Sequence, residues 1–416
     1  MAGSVIRFMQ ASDLDLHRPL SAIWQSRSDS VQALAEARYV SAERVFNSAI
    51  SERVDFVLLA GNTCDPRRVG ARGLVFLLNQ FERLEEEDIP VYWCHGHDDR
   101  ANRWPSAITW PDNVHRFTNP NPEVRRFEHG DGTVVEIVGN SWTRRTFEPA
   151  ALLATGGESS VSIAMTGGKI AAAATEGRGP QYWAIGGSAN CATDRTESGV
   201  VHWSGSPQGG GPGEAGAHGC TIIEMRHDCH FDMQQVPCDV VRWLDDDVAI
   251  AGETTNAELA ALLIERANEI SQLNSDRLVA VTWDLGSIPA DVIGHRLRSA
   301  AAAWHEGLCS EIQERFCNLL VTGIHWNTPF DDEAFDEDSL RGSFLRSLGT
   351  LLDKKQVARI LEESIPASTP EELAGKLANN DAATMAMLAD QVASLGDSLL
   401  DGSNAEVPAK HDSEAA

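Results

Sequence analysis

The chain has 416 residues, 42% of them apolar, and a formal net charge of −27 at pH 7. This length suffices for two or three domains with at least one large core, whereas the acidic excess argues against an overall basic, nucleic-acid-binding surface. The N-terminal residues lack the pattern of a secretory signal, and no apolar run approaches the roughly 18 residues that span a bilayer. We therefore expect a cytoplasmic globular protein without membrane association.

The first part of the chain alternates apolar strands with amphipathic helices. Strands predicted in SVIRFMQAS, DFVLLAG and IPVYWCHG are separated by helices from about Asp29 to Glu52 and from about Gly73 to Glu87. This order is typical of layered α/β structure, in which ligands bind at the carboxyl ends of the strands. A second set of strands predicts a mostly antiparallel sheet that packs on the first; its segments are VRRFEHG, TVVEIVGNSW, VSIAMTG, YWAIGG, VVHWSGS, GCTIIEMRH and HFDMQQVP.

The remainder of the chain predicts three further parts after a first domain of residues 1–245. Residues 246–326 indicate a small α/β domain, with a helix in AELAALLIERANEISQL, a strand in DRLVAVTWDL and a helix from about Asp291 to Trp304. In residues 327–402 leucines recur at three- and four-residue spacing, which indicates short helices that form a partner-docking face or a small bundle. Residues 403–416 are polar and predict a disordered tail.

Polar segments follow the ends of successive predicted strands in the first domain. They read ASDLDLHRP, LLAGNTCD, YWCHGHDDR, IAMTGG and YWAIGGSANCATD. In order, spacing and flanking strands they resemble the calcineurin-like metallophosphoesterases, and most closely the DNA repair exonucleases of the SbcD and YhaO type. The resemblance covers roughly residues 1–243. It implies an α/β fold with a two-sheet αββα sandwich, a small α/β capping domain and C-terminal helices, and hydrolysis by two bridged metal ions.

The first two motifs depart from the family pattern. Where the family has Asp-x-His, Asp13 is kept, Asp15 replaces the histidine and His17 follows two residues later. Asn62 replaces the Asp that bridges the two metals, although Asp65 is retained at an outer position. An amide oxygen is an uncharged and weaker ligand than a carboxylate. Two cations without a shared anion would repel each other with little to offset the repulsion.

The remaining three motifs are altered as well. His97 stands where the family has an Asn ligand, and Asp98 stands where it has the catalytic His, so Asp98 is only a degenerate catalytic position. No histidine occurs from Gly130 to Val201, so a slip of the alignment cannot supply the missing ligands. The residues at the fourth and fifth motifs are Thr166 or Gly167, Gly187 and Ala189.

A residual set of ligands remains for a single metal ion. Asp13, Asp15, Asn62 and His97 offer carboxylate, amide and imidazole groups at converging strand ends. The lost bridge and the three missing imidazoles predict that the two-metal centre is abolished, so we expect no cofactor. An ion held by the residual set would be manganese or another divalent metal. The alternative is a hydrogen-bonded remnant of the pocket.

Four arginines form a candidate phosphate-facing strip that would contact DNA: Arg100, Arg103, Arg144 and Arg145. The alternative is that isolated arginines solubilise an acidic protein. The cluster HDCHFD carries metal-ligand residue types, but a solvated turn between two strands is the preferred interpretation. His218 matches a family His-Gly and is interpreted as structural. The eight cysteines contain no Cys-x-x-Cys pair and are expected to be reduced thiols.

Three functions stay open. The first, which we prefer, is a catalytically inactive or impaired homologue of the exonuclease, retained as a structural or regulatory partner of an SMC-like coiled-coil ATPase of the SbcC or YhaN type. The resemblance implies this partner, and the amphipathic segment from Ser339 to Leu352 is suited equally to docking on it and to packing on its own domain. The second is an active phosphoesterase or exonuclease with a rearranged metal site. The third is a phospholigand-binding module without turnover. A homodimer and a mixed dimer with an intact paralogue are both compatible with the sequence.

Overall fold

The computed structural model describes residues 5–20, 28–142, 161–168, 180–196, 199–226, 230–250, 254–287 and 306–327. These residues divide into two units. The first unit contains the described residues up to Asp245 together with Asn268–Thr282 and Phe316–Thr322, and the second contains the others. Every site residue discussed below belongs to the first unit.

The described residues include fifteen strands and three α-helices with defined ends at both termini. The helices are α1 (Ser28–Ser51), α2 (Gly70–Glu86) and α3 (Asn256–Leu273), and residues Ala101–Arg103 form a 3-10 turn. A further helical stretch covers residues 306–315. The strands are β1 (Ile6–Ala11), β2 (Phe56–Ala60), β3 (Val91–Cys94), β4 (Val114–Phe117), β5 (Glu123–Glu128), β6 (Val134–Gly139), β7 (Val161–Thr166), β8 (Tyr182–Ile185), β9 (Ala192–Thr196), β10 (Gly199–Trp203), β11 (Gly219–Met225), β12 (Phe231–Pro237), β13 (Val241–Asp247), β14 (Leu278–Ser287) and β15 (Leu319–Asn327).

The first sheet has six strands in the order β12–β11–β1–β2–β3–β4. Strands β1, β2, β3 and β4 run parallel to one another, with Phe8 opposite Phe56 and Val57 opposite Val91. Because parallel strands end at the same edge of a sheet, the loops that follow β1, β2 and β3 come together there. Strand β11 joins the other side of β1 in antiparallel orientation. GCTIIEMRH and HFDMQQVP therefore belong to the first sheet, and the prediction that placed them in the second is wrong.

Helices α1 and α2 cover one face of the first sheet, and both were predicted from the amphipathic pattern. Leu77, Phe81 and Leu84 recur at helical spacing on α2 and are fully buried. They share a core cluster with Phe46 of α1 and Trp93 of β3. Burial of one such side chain contributes about 1.5–3 kcal/mol to the stability. The helical layer therefore holds the sheet whose strand ends carry the site.

The second sheet has the order β5–β6–β7–β8–β10–β9. The pairs β6–β7, β7–β8 and β8–β10 are parallel, whereas β5–β6 and β10–β9 are antiparallel. The prediction of a mostly antiparallel sheet is therefore wrong. The physical reason is that parallel strands are covered on both faces and so become almost continuously apolar. Strands VSIAMT and YWAI have this composition and are buried along nearly their whole length.

The two sheets pack face to face through an aromatic and aliphatic core, which confirms the predicted α/β sandwich. Phe8 and Phe56 of the first sheet stack with ring centroids 5.0 Å apart. Tyr182 of the second sheet meets Phe8 edge to face at 5.3 Å. Ile137 and Ile163 complete the second sheet's side of this cluster. The sandwich therefore fixes the relative positions of the strand ends in both sheets.

The third sheet has the order β13–β14–β15. Its strand β14 and the preceding helix α3 confirm the elements predicted in DRLVAVTWDL and AELAALLIERANEISQL. The predicted helix from about Asp291 to Trp304, the segment 328–402 and the tail 403–416 lie outside the described residues. The four-part division of the chain stays a prediction. None of the helices in the described ranges combines the length and the apolar character that crossing a bilayer requires.

Candidate functional site

The loops after β1 and β2 are joined along their backbones. Asp13, Asp15 and Asn62 have positive φ angles of 54°, 48° and 54°, a left-handed conformation that Asp and Asn adopt more readily than other non-glycine residues. Three backbone hydrogen bonds, all donated by the loop after β1 to the loop after β2, hold this geometry: Asp13 N to Gly61 O at 3.0 Å, Asp15 N to Asn62 O at 3.1 Å, and Leu16 N to Thr63 O at 3.1 Å. Three of the predicted site residues are thereby brought together.

Asp13 and Asn62 form a closed hydrogen-bonded network. Asn62 Nδ2 donates to Asp13 Oδ1 at 2.8 Å, and the backbone N–H of Gly187 donates to Asp13 Oδ2 at 2.9 Å. Asn62 Oδ1 accepts from the backbone N–H of Asp98 at 3.2 Å, which fixes the orientation of the amide. Burial raises the pKa of Asp13 to about 7, although the hydrogen bond from Asn62 opposes this effect. Both carboxylate oxygens of Asp13 are thus engaged by protein donors.

Asp99, which the sequence analysis did not single out, supports this network by accepting hydrogen bonds from the backbone around Asn62. Its carboxylate is fully buried. Burial alone would raise its pKa, but the interaction with His95 and the backbone donors outweigh burial and lower it. The only sequence signal was its place as the last residue of GHDD, where the family motif also ends in Asp. Its donors are Asn62 N at 2.9 Å, Gly96 N at 2.6 Å, Thr63 N at 3.2 Å, Thr63 Oγ1 at 2.9 Å and Trp93 Nε1 at 3.3 Å.

A second cluster lies beside this network and has the chemistry of a cation site. Asp15, His17 and Asp98 each place a ligand atom within 4.8 Å of the other two. Asp15 Oδ1 is buried and accepts no hydrogen bond. His17 Nδ1 accepts the backbone N–H of Asp65 at 3.0 Å, and burial lowers the pKa of His17 to about 4, so the ring is uncharged at neutral pH. Within the described part of the chain, this is the group of acidic and imidazole side chains that lies close enough together to hold a single divalent ion.

Arg18 lies against the same two carboxylates. Its guanidinium is 2.5 Å from Asp98 Oδ2 and 3.5 Å from Asp15 Oδ1. Burial raises the pKa of Asp15 to about 6, and the charges of Arg18 and Arg38 oppose this rise. Burial also acts to raise the pKa of Asp98, but hydrogen bonds from His97 and Arg18 outweigh burial and lower it. Asp98 is therefore ionised and paired, whereas Asp15 is buried with an incompletely satisfied carboxylate.

His97 and the two described arginines of the predicted strip lie on the outer side of Asp98. His97 Nδ1 is 2.9 Å from Asp98 Oδ1, but its ring is 60% exposed and packs edge to face on Trp142 at 4.9 Å. Arg100 places its guanidinium 4.2 Å above Trp142. Arg103 donates to the backbone oxygen of Asp98 at 3.0 Å. Arg144 and Arg145 lie outside the described residues.

A two-metal centre does not fit the residues that stand at the fourth and fifth motifs. A Cβ on Gly167 would lie 2.6 Å from the Cα of Gly96, so the backbone leaves no room for a side chain there. Thr166 is buried and its Oγ1 accepts the backbone N–H of Gly168 at 3.3 Å. Gly187 contributes only its N–H to Asp13. His202, the first histidine after this region, is held within β10, with its ring nitrogens 2.9 Å from Thr193 Oγ1 and 2.8 Å from Thr221 Oγ1.

A comparison with known proteins agrees with the fold. The metallophosphoesterase YhaO of Bacillus subtilis, which is described as uncharacterized, is 28% identical to this chain over 248 residues. The matched region covers 55% of this chain and 60% of the relative's length. This similarity supports the metallophosphoesterase superfamily. It also suggests a divalent metal, for which the cluster of Asp15, His17 and Asp98 is available. No family model matches the chain.

Two other sequence features lie elsewhere. His218 is buried, with Nδ1 3.1 Å from Ser206 O and Nε2 3.0 Å from Glu214 O, which is a structural role in a loop. In HDCHFD, residues 227–229 lie outside the described ranges. His230 Nε2 is 3.2 Å from the exposed Asp232 carboxylate, which also accepts from Arg226 at 2.6 Å. These contacts fit the predicted polar turn.

Proposed function

We propose that the protein is a catalytically inactive or impaired homologue of an SbcD/YhaO-type exonuclease that acts as a structural or regulatory partner of a coiled-coil ATPase. One observation carries the proposal. The amide of Asn62 bonds to Asp13 at 2.8 Å, at the place where the family pattern has the carboxylate that bridges two metals. Two-metal hydrolysis needs that bridge to hold both ions and to clamp the phosphodiester. A buried hydrogen bond between these two side chains supports a pocket that is stable without a metal pair.

The loss of activity is tested by metal content and turnover of the unaltered chain. Protein purified without chelator is expected to contain at most substoichiometric manganese, iron or zinc by elemental analysis. Hydrolysis of bis(4-nitrophenyl) phosphate and of linear duplex DNA in Mn²⁺ is expected to stay at background. Turnover that persists in an Asp15→Asn, Asp98→Asn double variant would come from contaminating enzyme. Two metal equivalents together with turnover that this double variant loses would contradict the proposal.

The ATPase partnership rests on the family resemblance and needs a direct test. We expect the full chain to co-purify with a coiled-coil ATPase from the same cell when the two are co-expressed, and the complex to stay together in gel filtration. A monomeric elution of both proteins would contradict the partnership while leaving the loss of hydrolysis untouched. A cytoplasmic location is part of the same proposal.

A single-metal phosphoesterase is the second candidate, and the buried oxygen of Asp15 favours it. Asp15 Oδ1 accepts no hydrogen bond and lies in the cluster with His17 and Asp98. Hydrolysis that requires one manganese equivalent and disappears in Asp15→Asn would establish this function. Retention of that hydrolysis in Asp15→Asn would exclude this site as its source.

DNA contact is compatible with both candidates, because Arg100 and Arg103 lie next to the site and donate to the backbone oxygens of His97 and Asp98. Contacts to phosphates release counterions, so binding through them weakens as salt rises. We expect an Arg100→Gln, Arg103→Gln double variant to bind duplex DNA more weakly and with a shallower salt dependence. Identical salt slopes for both proteins would place any DNA contact elsewhere on the chain.

A further inference from the structure

Asp15 and Asp98 already share one cation, which is the guanidinium of Arg18. The guanidinium lies 2.5 Å from Asp98 Oδ2 and 3.5 Å from Asp15 Oδ1. The same carboxylates belong to the cluster whose ligand atoms lie within 4.8 Å of one another. A divalent ion in this cluster therefore competes with Arg18 for the two negative charges.

The main chain of Arg18 is held so that its side chain reaches these carboxylates. Its N–H donates to Asp15 O at 2.8 Å, and its carbonyl accepts from Arg38 Nε at 2.9 Å. Arg38 is itself buried, and its guanidinium also donates to Gln208 O at 3.3 Å. The side chain of Arg18 remains half exposed. Because the backbone of Arg18 is already fixed, less conformational entropy is lost when its ion pair forms. The exposed side chain can still move away from the cluster into solvent.

The imidazole of His17 is also arranged for a cluster without a metal. Its Nδ1 accepts the N–H of Asp65 at 3.0 Å. A neutral imidazole that accepts at one nitrogen carries its proton on the other and has no further lone pair for a metal. An ion at this place would be held by Asp15 and Asp98, and by His17 only after the bond to Asp65 is broken. Carboxylate ligands of this kind suit hard divalent cations.

We propose that Arg18 is the resident cation of this site, and that a divalent ion such as Mn²⁺ binds Asp15 and Asp98 only when the Arg18 side chain is displaced or removed. Arg18 then serves as an intramolecular competitor of the metal. The inference goes beyond the proposed function, because it assigns what fills the cation position and predicts how a metal site is opened.

The test is a titration of the full chain with Mn²⁺, in which the electron paramagnetic resonance signal of the free ion measures binding. Three proteins are compared: the unaltered chain, Arg18→Gln and Arg72→Gln. Arg72→Gln is the matched control, because it makes the same charge change and releases the carboxylate of Glu36 on the outer helices. We expect Arg18→Gln to bind one Mn²⁺ roughly tenfold or more tightly than the other two, since a positive charge a few ångströms from the ion is removed.

A second variant locates the ion. Asp98→Asn in the Arg18→Gln background is expected to abolish the gained Mn²⁺ binding, and circular dichroism checks that each variant is folded. Where Arg18→Gln does not fold, Arg18→Met, which keeps an aliphatic stem, takes its place. Equal Mn²⁺ affinity in the unaltered chain and the Arg18 variant would overturn the inference, as would binding that survives Asp98→Asn. Either result leaves the proposed function to be judged by hydrolysis and metal content of the unaltered chain.

Discussion

Asn62 Nδ2 donates a hydrogen bond to Asp13 Oδ1 across 2.8 Å in a buried part of the site. In the motif that the sequence resembles, a metal-bridging aspartate stands at the position of Asn62. Here the amide N–H of Asn62 instead donates a hydrogen bond directly to the Asp13 carboxylate. The neighbouring contacts from Gly187 and Asp98 hold the same orientation, so the network is complete with protein groups.

Asn62→Asp is expected to destabilise the protein without restoring hydrolysis. The new carboxylate would face Asp13 with no proton between them, and the missing imidazoles would still be absent. We expect a loss of about 2 kcal/mol or more in unfolding free energy at pH 8, from the lost hydrogen bond and like-charge repulsion, and a smaller loss at pH 5. Urea unfolding measures it. The control is Asn47→Asp, the same change at an exposed position beside Arg83; an equal effect of both variants would contradict the argument.

Asp13 predicts a pH dependence of stability with a definite sign. Its pKa in the folded protein is about 7, against an ordinary value of 3.8, so the folded state binds more protons than the unfolded state between these values. This contribution is complete below about pH 4 and is lost as pH rises through 7, which amounts to about 4 kcal/mol. The low pKa values of His17 and His202 act in the opposite direction. The comparison must therefore be made against a variant that retains both histidines.

We expect the stability of the unaltered chain to fall relative to Asp13→Asn as pH rises from 4 to 8, because Asn does not titrate. Urea unfolding of both proteins at four pH values measures the difference, and the histidine contributions cancel. A difference that stays constant over this range would show that Asp13 titrates normally.

Gly167→Ala is expected to lower the stability of the protein, because the new Cβ would clash with the backbone beside the site. The added Cβ would lie 2.6 Å from the Cα of Gly96, closer than van der Waals contact allows. Overpacking of this kind costs about 1–3 kcal/mol. The control is Gly213→Ala, where a Cβ meets nothing within 4 Å and the backbone conformation is ordinary. Thermal unfolding compares the two, and a Gly167→Ala variant as stable as Gly213→Ala would contradict the close packing.

Asp99→Asn should be the most damaging conservative change at the site. The carboxylate accepts hydrogen bonds from the backbone of Asn62 and Gly96 and from Trp93 Nε1. An amide would turn an N–H group toward some of these donors, and hydrogen bonds to charged groups contribute about 1.5–3 kcal/mol each. We expect a loss of about 3 kcal/mol or more in urea unfolding. Asp112→Asn, an exposed change of the same kind, should leave stability nearly unchanged, and equal effects would refute the supporting role of Asp99.

The sequence pattern was sufficient for strands β1, β2 and β3 and for helices α1 and α2, but it assigned β11 and β12 to the wrong sheet and missed the strand direction in the second sheet. The helices α1 and α2 carry apolar residues at helical spacing, so their existence and approximate ends followed from the pattern. The apolar sequences of β7 and β8 are compatible with parallel and with antiparallel neighbours. Their burial on both faces, which is typical of parallel strands, became visible only in the structure. The short polar strands β4 and β9 have no strong apolar alternation and were not predicted.

At the site, the sequence showed which residue types stand at the strand ends, but it did not show which of them contact one another. The substitution of Asn62 was visible in the sequence, but the direction in which its amide points depends on the N–H of Asp98. The residual set included His97, whereas the structure places His17 in the cluster with Asp15 and Asp98 and turns the ring of His97 against Trp142. His17 and His97 have the same side-chain chemistry, and only the conformations of their loops decide which of them joins the cluster.

The paired backbones of the loops after β1 and β2 have a kinetic consequence. The N–H groups of Asp13, Asp15 and Leu16 all donate across to the neighbouring loop. None of these amides can reach solvent for isotope exchange unless the two loops separate. Their exchange rates should therefore rise together under mild denaturant, with a common opening energy, as a single cooperative unit of the native state.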